Sequence, residues 1–287
     1  MPKISIITIN YNNLEGLKRT VESVINQTWQ EFEYIVIDGG STDGSVSYIE
    51  SQSHNIDYWV SEPDQGIYNA MNKGIAKAAG EYLLFLNSGD HLYSDTVIQK
   101  NHHLLVEQDL IYFNLLLKGE KFLEIKTYPN ELQFSHLFFN ALPHQATFIK
   151  RELFVKIGFY DEKLKIVSDW KFMIIALFIY RCSYKYINET FSVFYLDGIS
   201  ESEMGINFAE RSQVLNEYFG AYVSDYREIL ELKQKQKSLS EILGTNRFKM
   251  LSEIEKSKIG KKIVSFFFRS WIFLFSNKKL KDVLYEK

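Results

Sequence analysis

The sequence predicts an α/β fold with a mostly parallel central sheet that is flanked by helices and followed by a helical extension. Three observations lead to this prediction. Short β-branched or aromatic runs alternate with segments of helical apolar spacing over about the first 95 residues. The runs at 4–9, 32–37 and 82–86 are apolar almost throughout, as in strands that are buried on both faces. Residues 208–239 are rich in Lys, Glu and Gln and have the spacing of one or two amphipathic helices.

The composition is that of a globular protein without a nucleic-acid partner. Of the 287 residues, 46% are hydrophobic and 24% are charged, and the net charge of -3 provides no general affinity for nucleic acid. The single cysteine, Cys182, excludes an internal disulfide and a cysteine-based metal cage, which fits a reducing compartment. Because the first hydrophobic run is too short for a signal peptide, we expect a cytoplasmic protein.

Two strand–helix units open the chain, and each strand ends in a polar loop. The first loop contains Thr8, Asn10 and Tyr11, and the second contains Asp38 and Ser41. In a right-handed doubly wound sheet, both loops open on the edge where ligands bind. The first loop can present backbone groups and an aromatic ring to a base, and the carboxylate of Asp38 can accept the imide N–H of uracil.

A dinucleotide site of the Rossmann type is the natural competitor for these loops. The second loop has the sequence G-G-S-T-D-G, which lacks the G-x-G-x-x-G spacing and follows the second strand. The sequence therefore disfavours nicotinamide binding.

The apolar run at 82–86 ends in a turn that contains Asn87, Ser88 and Asp90. A carboxylate and a carboxamide are thereby fixed on a tight turn at the ligand-binding edge. Ions of the Mg²⁺ type take one or two protein carboxylates and complete their coordination with phosphate oxygens and water. Asp90 is therefore the candidate metal ligand, with Asn87 and Ser88 beside it. Without further motifs, an ordinary surface turn would be the simpler interpretation.

This turn resembles the Asp-x-Asp metal site of inverting family 2 glycosyltransferases, which have the Rossmann-like GT-A fold. Here Asn87 stands where many relatives carry the first Asp, so the motif has one charge fewer. The preceding stretch S-E-P-D-Q-G-I-Y-N-A-M-N-K-G-I is also very similar to that of these enzymes. The resemblance implies that Asp64, Asn72 and Lys73 lie near the nucleotide and its phosphates. Taken singly, a turn residue and a solvated lysine are the simpler alternatives.

Two motifs further along the chain carry the remaining candidates. The segment P-H-Q-A-T-F-I-K-R is similar to the one that lines the donor-sugar pocket, so the resemblance makes His144 and Gln145 candidate sugar or phosphate contacts. K-I-V-S-D-W-K-F predicts a helix that is capped by Ser168, with Asp169 in its first turn. The resemblance matches Asp169 to the base that deprotonates the acceptor, while Ser168 replaces the usual Glu. A structural histidine and an Asp that only favours the helix dipole are the alternatives.

Between and after these motifs, we expect elements that shape the acceptor side. A helix at 96–106 with Asp95 as its cap should precede two antiparallel strands at 110–117 and 122–128. A strand or pair of strands should follow at 184–195. The polar loop at 196–201 is the expected acceptor-side lid.

The carboxyl-terminal segment differs from the rest in charge. Residues 247–287 contain eleven basic and four acidic residues, although the whole chain is acidic. The aromatic run at 263–275 is interrupted by Arg269 and is too short for a transmembrane helix. Basic and aromatic residues at 258–281 predict a helix that lies on an anionic membrane surface, at the inner face of the cytoplasmic membrane. A helix packed on the protein's own core, or on a second subunit of a homodimer, is the alternative.

The chain therefore divides into three predicted parts with different tasks. We expect a GT-A catalytic domain at 1–205, with its nucleotide-sugar half at 1–95 and its acceptor half at 96–205. A basic, amphipathic helical extension at 206–287 should follow.

The resemblance implies an enzyme that transfers a hexose or N-acetylhexosamine from a UDP-linked donor with inversion, assisted by Mn²⁺ or Mg²⁺. The basic, aromatic tail beside an acidic catalytic body suggests an acceptor on a membrane lipid, such as a saccharide linked to polyprenyl diphosphate in bacterial surface-polysaccharide synthesis. A non-catalytic relative that only binds the nucleotide-sugar is the alternative, because Asn87 and Ser168 stand where acids are common. A nucleotidyltransferase is disfavoured, because no glycine-rich basic loop of that kind occurs near the amino terminus.

Overall fold

A computed structural model describes residues 1–119, 122–195 and 203–275. The chain divides into two compact units, Met1–Tyr218 and Phe219–Lys287. The first unit contains every strand that the structure describes, together with all the motifs discussed above except the basic tail. The expected lid at 196–201 and the end of the expected membrane helix lie outside the described residues.

The first half of the sheet is parallel, as predicted. Its strands are β1 (Ile4–Asn10), β2 (Glu33–Asp38), β3 (Tyr58–Ser61) and β4 (Tyr82–Phe85). They lie in the order β3-β2-β1-β4, and all three pairings are parallel. Asn10 and Asp38 are opposite each other at the carboxyl ends of β1 and β2. The polar loops after these strands therefore meet at one edge.

The second half of the sheet is mixed. Its strands are β5 (His91–Leu92), β6 (Leu110–Gly119), β7 (Phe122–Lys126), β8 (Thr147–Lys150) and β9 (Tyr184–Tyr195). The order continues from β4 as β8-β6-β9-β5, and β7 pairs with β6. Only β6 and β9 are parallel, and the expected antiparallel hairpin is formed by β6 and β7.

Helices cover the sheet because their apolar residues recur at helical spacing. In the first unit they are α1 (Leu14–Ile25), α2 (Ser45–Ser51), α3 (Ile67–Lys77), α4 (Val97–Asn101), α5 (Phe134–Phe139), α6 (Arg151–Ile157) and α7 (Ser168–Phe178). In α1, Leu17, Val21 and Val24 are fully buried. Asn13 caps this helix by accepting a hydrogen bond from the backbone of Gly16, 3.1 Å away.

The helix expected at 96–106 is shorter than predicted. It ends at Asn101 and continues as a 3₁₀ turn, His102–Leu104. Thr96 occupies the N-cap position without a side-chain hydrogen bond, so the prediction of Asp95 as the cap is wrong. The ring of His102 stacks on Trp29 with 4.5 Å between centroids, a long-range contact that helical spacing does not reveal.

The second unit is helical. The helix α8 (Met204–Gly244) begins in the first unit and loses helical geometry at Phe219, where φ is -131°. It is followed by α9 (Asn246–Glu255) and α10 (Lys258–Phe275). Within the described part of the chain, no helix has the length and apolarity needed to cross a membrane.

Candidate active site

The carboxylate of Asp38 is the centre of a buried hydrogen-bond network at the end of β2. Its donors are the side chains of Asn10 at 2.7 Å, Ser41 at 2.6 Å and Ser61 at 2.6 Å, together with the backbone N–H groups of Gly40 and Ser41. Burial alone would raise the pKa of Asp38, but these hydrogen bonds hold it below its usual value. The carboxylate is therefore ionised at neutral pH and fixed in orientation.

Near Asp38 lie three further candidate residues, Asn10, Tyr11 and Asp64. A Cβ atom at Gly39 would collide with the carboxylate of Asp64 and would lie 3.2 Å from the ring of Tyr11. Only glycine at this position therefore lets the two side chains approach the β2 loop. The ring of Tyr11 is 65% exposed, so one of its faces is available to a ligand. The buried Oδ1 of Asn10 has no hydrogen-bond partner among the described residues.

Outside the hydrogen bonds of the Asp38 carboxylate lie the described contacts of three more candidates, Thr8, Asn72 and Lys73. Thr8 is fully buried inside the sheet, and its hydroxyl lies 3.1 Å from that of Tyr34. The amide of Asn72 donates to the backbone of Tyr160 and to Glu162, at 2.9 and 2.7 Å. Lys73 forms an ion pair with Glu62 at 2.8 Å and donates to the Pro63 carbonyl at 3.2 Å.

The turn that carries Asp90 is held against α1. The hydroxyl of Thr20 donates to the Asp90 carbonyl at 2.6 Å and accepts from the backbone of Gly89 at 3.0 Å. Asn13 donates to the Ser88 carbonyl at 3.0 Å. Gly89 has a φ of +112°, a conformation that favours glycine. Asp90 is consequently a buried carboxylate on rigid backbone.

His144 links this turn to the start of α7. Its Nδ1 lies 3.1 Å from Asp169 Oδ2, and its Nε2 lies 3.6 Å from Asp90 Oδ2 and 3.2 Å from Asn87 Nδ2. The hydroxyl of Tyr68 lies 2.9 Å from the other oxygen of Asp169. The structure thus brings Asp90, His144 and Asp169 into one cluster, although 79 residues of sequence separate the two carboxylates. Gln145 is buried next to His144 in the chain.

The charges in this cluster stabilise one another. Burial alone would lower the pKa of His144, but the hydrogen bonds to Asp169 and Asp90 and their negative charges raise it to about 10. Burial would likewise raise the pKa of Asp169, but His144 and Tyr68 hold it below its usual value. Asp169 is therefore ionised at neutral pH. Its side chain remains 18% exposed, so a substrate hydroxyl can reach it.

Asp169 lies in the first turn of α7, but Ser168 does not cap this helix. The helix begins at Ser168 itself, with Val167 in the N-cap position. The hydroxyl of Ser168 instead accepts a hydrogen bond from the backbone of Asp161 at 2.6 Å. The capping prediction is wrong because a distant backbone group competes for the hydroxyl.

The donor set of the Asp90 turn fits a metal ion that takes most of its ligands from substrate. The side chain of Asn87 supplies an amide oxygen beside Asp90 in the chain, and amide oxygens are donors of the type that hard cations prefer. Across the described ranges, no group of three or more His, Cys, Asp or Glu side chains is arranged to hold a metal. Asp90 and Asn87 therefore fit an Mg²⁺- or Mn²⁺-type ion bound with phosphate oxygens, and they do not form an all-protein cage.

Sequence patterns did not identify several residues around the cluster. The guanidinium of Arg211 lies 4.6 Å from the ring centroid of Trp170, and its buried Nε has no hydrogen-bond partner within the described structure. Glu210 accepts from the backbone of Lys165 and Ile166, at 2.7 and 3.0 Å, which attaches the start of α8 to the segment before α7. A charged residue on a polar helix gives no local signal of such a position.

His91, the residue after Asp90, was also missed. Burial and the positive charges of Arg19 and Lys118 lower the pKa of His91 to about 4, so its imidazole is neutral at neutral pH.

Acidic turns at the carboxyl edge of an α/β sheet, with a second carboxylate supplied by a later helix, define an α/β protein whose ligand site lies at that edge. The sequence matches the profile "Glycosyl transferase family 2" over residues 5–159. This match covers more than half of the chain, which therefore belongs to the family 2 glycosyltransferases.

Two curated relatives are similar over most of their own length. An uncharacterized glycosyltransferase of Mycobacterium tuberculosis strain H37Rv is 37% identical over 183 residues, which are 62% of this chain and 70% of that protein. A PGL/p-HBAD biosynthesis glycosyltransferase of the same strain is 31% identical over 180 residues, which are 60% of this chain and 69% of that protein. Both relatives support the family assignment.

Two solved structures share the fold. TarS 1–349 of S. aureus in complex with UDP-GlcNAc has a TM-score of 0.54 and 18% identity, over 77% of this chain and 73% of that chain. The mannosyltransferase PcManGT of Pyrobaculum calidifontis, in complex with GDP-Man and Mn²⁺, has a TM-score of 0.55 and 13% identity, over 92% of this chain and 83% of that chain. The predicted GT-A fold is confirmed.

Proposed function

We propose that this glycosyltransferase is an inverting, metal-dependent enzyme that moves a hexose or N-acetylhexosamine from a UDP-linked donor to a hydroxyl of a saccharide acceptor. The observation that carries the proposal is the cluster in which His144 lies 3.1 Å from Asp169 and 3.6 Å from Asp90. A carboxylate suited to a metal and a carboxylate suited to a base are thereby adjacent. Single displacement with inversion needs a base at the reacting centre, and a metal ion held there would stabilise the leaving diphosphate.

The nucleotide is proposed to bind at the β1 and β2 loops. Asp38 is an ionised acceptor for the imide N–H of uracil, which would replace one of the protein donors that the buried carboxylate holds here. The exposed ring of Tyr11 offers a surface on which a base can stack. Asn10, Ser41 and Asp64 complete this part of the site. The complex of TarS with UDP-GlcNAc supports a UDP-linked donor, and the GDP-Man complex of PcManGT makes GDP the comparison nucleotide.

The diphosphate is proposed to lie at the Asp90 turn, where Asp90 and Asn87 would hold a divalent cation, Mn²⁺ or Mg²⁺. When bound, such a cation supplies electrostatic stabilisation of the leaving diphosphate. Ser88, His144 and Gln145 are the proposed contacts of the phosphates and the sugar. Asn72 and Lys73 remain proposed to lie near the nucleotide and its phosphates.

Asp169 is proposed to take the proton from the acceptor hydroxyl while that oxygen attacks the anomeric carbon. Its ionised state and partial exposure suit a general base, and the contacts with His144 and Tyr68 fix its position. The glycosidic bond breaks as the new bond forms on the opposite face, so no covalent intermediate is needed. An α-linked donor would give a β-linked product.

Asp169→Asn is the direct test of this mechanism. The change keeps the shape of the side chain but removes the proton acceptor, so we expect kcat to fall by about 10²–10⁴-fold, the usual contribution of a general base. UDP affinity, measured by titration calorimetry, should stay within about twofold of the wild-type value. The control is Asp161→Asn, which removes a carboxylate that pairs with Lys171 at 2.8 Å and should leave kcat nearly unchanged. Normal turnover by Asp169→Asn would remove Asp169 from the mechanism.

A non-catalytic relative that binds only the nucleotide-sugar is the second candidate. It is favoured by Asn87 and Ser168, which stand where family acids are common. Mn²⁺-dependent release of UDP from a panel of UDP-sugars separates the two proposals, because a binding protein would show affinity without turnover. The panel also identifies the sugar.

The domain arrangement belongs to the same proposal. We assign the GT-A catalytic domain to 1–205, with the nucleotide-sugar half at 1–95 and the acceptor half at 96–205, and a membrane-contacting extension to 206–287. The exposed aromatic residues of α10 support contact with the inner face of the cytoplasmic membrane. A lipid-linked saccharide, such as one carried by polyprenyl diphosphate, is the acceptor that this location favours.

A further inference from the structure

Basic side chains surround Tyr195 at the end of β9. The guanidinium carbon of Arg19 lies 4.2 Å from the centroid of the Tyr195 ring, and Nζ of Lys118 lies 5.4 Å from it. The ring of His91 approaches the same ring, with 5.6 Å between centroids. Because His91 directly follows Asp90 in the chain, this group begins about 3.8 Å along the backbone from the proposed metal ligand.

These polar groups have unused binding capacity. Among the residues that the structure describes, neither Arg19 nor Lys118 takes part in an ion pair. Both side chains are exposed, and exposed guanidinium and ammonium groups beside one aromatic ring are donors for an anion with several acceptor oxygens.

Strand register places apolar side chains on the same face as this basic group. Lys118 is opposite Tyr195 on β9 and opposite Leu123 on β7. Directly opposed residues point to the same face of a sheet, and so do residues two apart on one strand. Leu123 and Ile125 therefore share the face of Lys118 and Tyr195. We call the face formed by Arg19, His91, Lys118, Tyr195, Leu123 and Ile125 the Tyr195 face.

The apolar end of the Tyr195 face is open. The side chains of Leu123 and Ile125 are 69% and 50% exposed. An anion site that borders exposed aliphatic side chains is complementary to an anion that carries a hydrocarbon chain. A free polar saccharide would gain nothing from Leu123 and Ile125.

We propose that the Tyr195 face binds the phosphate group and the adjoining hydrocarbon of a lipid phosphate, and that it thereby presents a lipid-linked acceptor to the active site. The inference rests on the proposed function, because the lipid phosphate is an acceptor only if the protein transfers a sugar to it. Arg19 and Lys118 bind the phosphate oxygens, and the first part of the hydrocarbon chain lies on Leu123 and Ile125. A sugar attached to that phosphate then extends past Asp90 toward Asp169.

Farnesyl diphosphate, a short isoprenoid diphosphate, is a suitable probe when it is used below its micellar concentration. Binding to the full chain is measured with EDTA and saturating UDP present, so that the nucleotide site is blocked. We expect farnesyl diphosphate to bind at least tenfold more tightly than inorganic pyrophosphate, and farnesol to bind poorly. Equal affinity for farnesyl diphosphate and pyrophosphate would overturn the role of the apolar residues.

Paired variants test each end of the face. Arg19→Gln with Lys118→Gln should weaken binding of farnesyl diphosphate at least tenfold, because it removes two charged donors. The control is Lys126→Gln, which changes a charge on the opposite face of β7. Leu123→Ser with Ile125→Ser should weaken binding of farnesyl diphosphate but not of pyrophosphate, and Phe122→Ser is the control on the opposite face. Wild-type affinity in both double variants would overturn the proposal.

UDP release from the preferred UDP-sugar, measured in the same variants, separates this inference from the proposed function. If these variants release UDP normally and bind farnesyl diphosphate as the wild type does, the lipid-phosphate site is wrong but the proposed activity is not. Absence of release in the wild type would contradict the proposed activity and would leave the lipid-phosphate site to be judged by the binding data.

Discussion

At the scale of single residues, the partners of a carboxylate determine what it can do. Asp38 accepts from three side chains and two backbone N–H groups, so its charge and orientation are fixed before a ligand arrives. Asp169 shares its oxygens between His144 and Tyr68 and stays partly exposed. The first arrangement suits recognition and the second suits proton transfer.

Asp38→Asn should weaken UDP binding about tenfold or more, because a hydrogen bond to a charged acceptor contributes about 1.5–3 kcal/mol. Titration calorimetry measures this loss. The substitution should also destabilise the protein at neutral pH. Since the pKa of Asp38 is lower in the folded chain, its stabilisation is present above the unfolded pKa of about 3.9 and disappears as pH falls through the folded value.

Urea unfolding at several pH values measures how the stabilisation by Asp38 depends on pH. The difference in the free energy of unfolding between wild type and Asp38→Asn should narrow below about pH 4. Asp225→Asn, at an exposed position of α8, should change neither UDP binding nor stability. A difference that stays constant from pH 7 to the acid limit would show that the charge of Asp38 is not what stabilises the fold.

Sequence patterns placed Asn10, Tyr11, Asp38, Ser41 and Asp64 at one edge, because strand ends and glycine turns are local features. They could not identify the partners of Asn72, which lie 88 and 90 residues further along the chain. Nor could they reveal that His144 bridges Asp90 and Asp169. Such contacts depend on the packing of distant segments.

At the scale of elements, the position of α3 depends on a close approach to the sheet. A Cβ atom at Gly74 would lie 2.5 Å from Cγ2 of Ile7 on β1. The glycine therefore allows the helix to pack closely, and the same helix carries Tyr68 to Asp169. The close packing of α3 on β1 thus helps to position Tyr68 beside Asp169.

Gly74→Ala should lower the free energy of unfolding, because overpacking typically costs about 1–3 kcal/mol and exceeds the gain in helix propensity of about 1 kcal/mol. Chemical denaturation measures the change. Gly220→Ala in α8 is the matched control, since a Cβ there meets no atom within 4 Å. It should leave stability unchanged or raise it. A stabilised Gly74→Ala variant would show that α3 is free to move away from β1.

The parallel strands β1 to β4 were predictable because each is a short apolar run that ends in polar turn residues. The second half of the sheet, with mixed strand directions, was harder to predict. The hairpin of β6 and β7 was predicted, but β8 is a strand of only four residues between a 3₁₀ turn and α6, and no periodicity marks it. Likewise, Ser168 stands where a helix cap is expected, but its hydroxyl accepts a hydrogen bond from the backbone of Asp161.

At the scale of the whole molecule, the chain separates into parts that differ in charge and exposure. Phe266, Phe267 and Phe268 of α10 are 67%, 67% and 55% exposed, and basic residues lie on both sides of them. Neighbouring aromatic and basic residues favour insertion at the surface of an anionic membrane. The second unit is therefore the expected place of membrane contact.

Phe266→Ser with Phe267→Ser should reduce binding to phosphatidylglycerol vesicles at least tenfold, because burying each aromatic ring contributes about 1.5–3 kcal/mol. Co-sedimentation measures the bound fraction. Ile229→Ser with Leu232→Ser, which removes exposed apolar residues from α8, should leave it nearly unchanged. Equal loss in both pairs would indicate unspecific hydrophobic adsorption, and no loss in the first pair would exclude α10 as the anchor.

The burial of Cys182 has a practical consequence. It is the only cysteine of the chain, and burial raises the pKa of its thiol to about 12, with a further rise from the charge of Asp109. Maleimides react with thiolates, so the native residue should stay unlabelled at neutral pH. A cysteine introduced in place of an exposed residue would then carry the sole fluorophore or spin label. Distances from that label to a bound nucleotide become measurable in solution without first removing a native thiol.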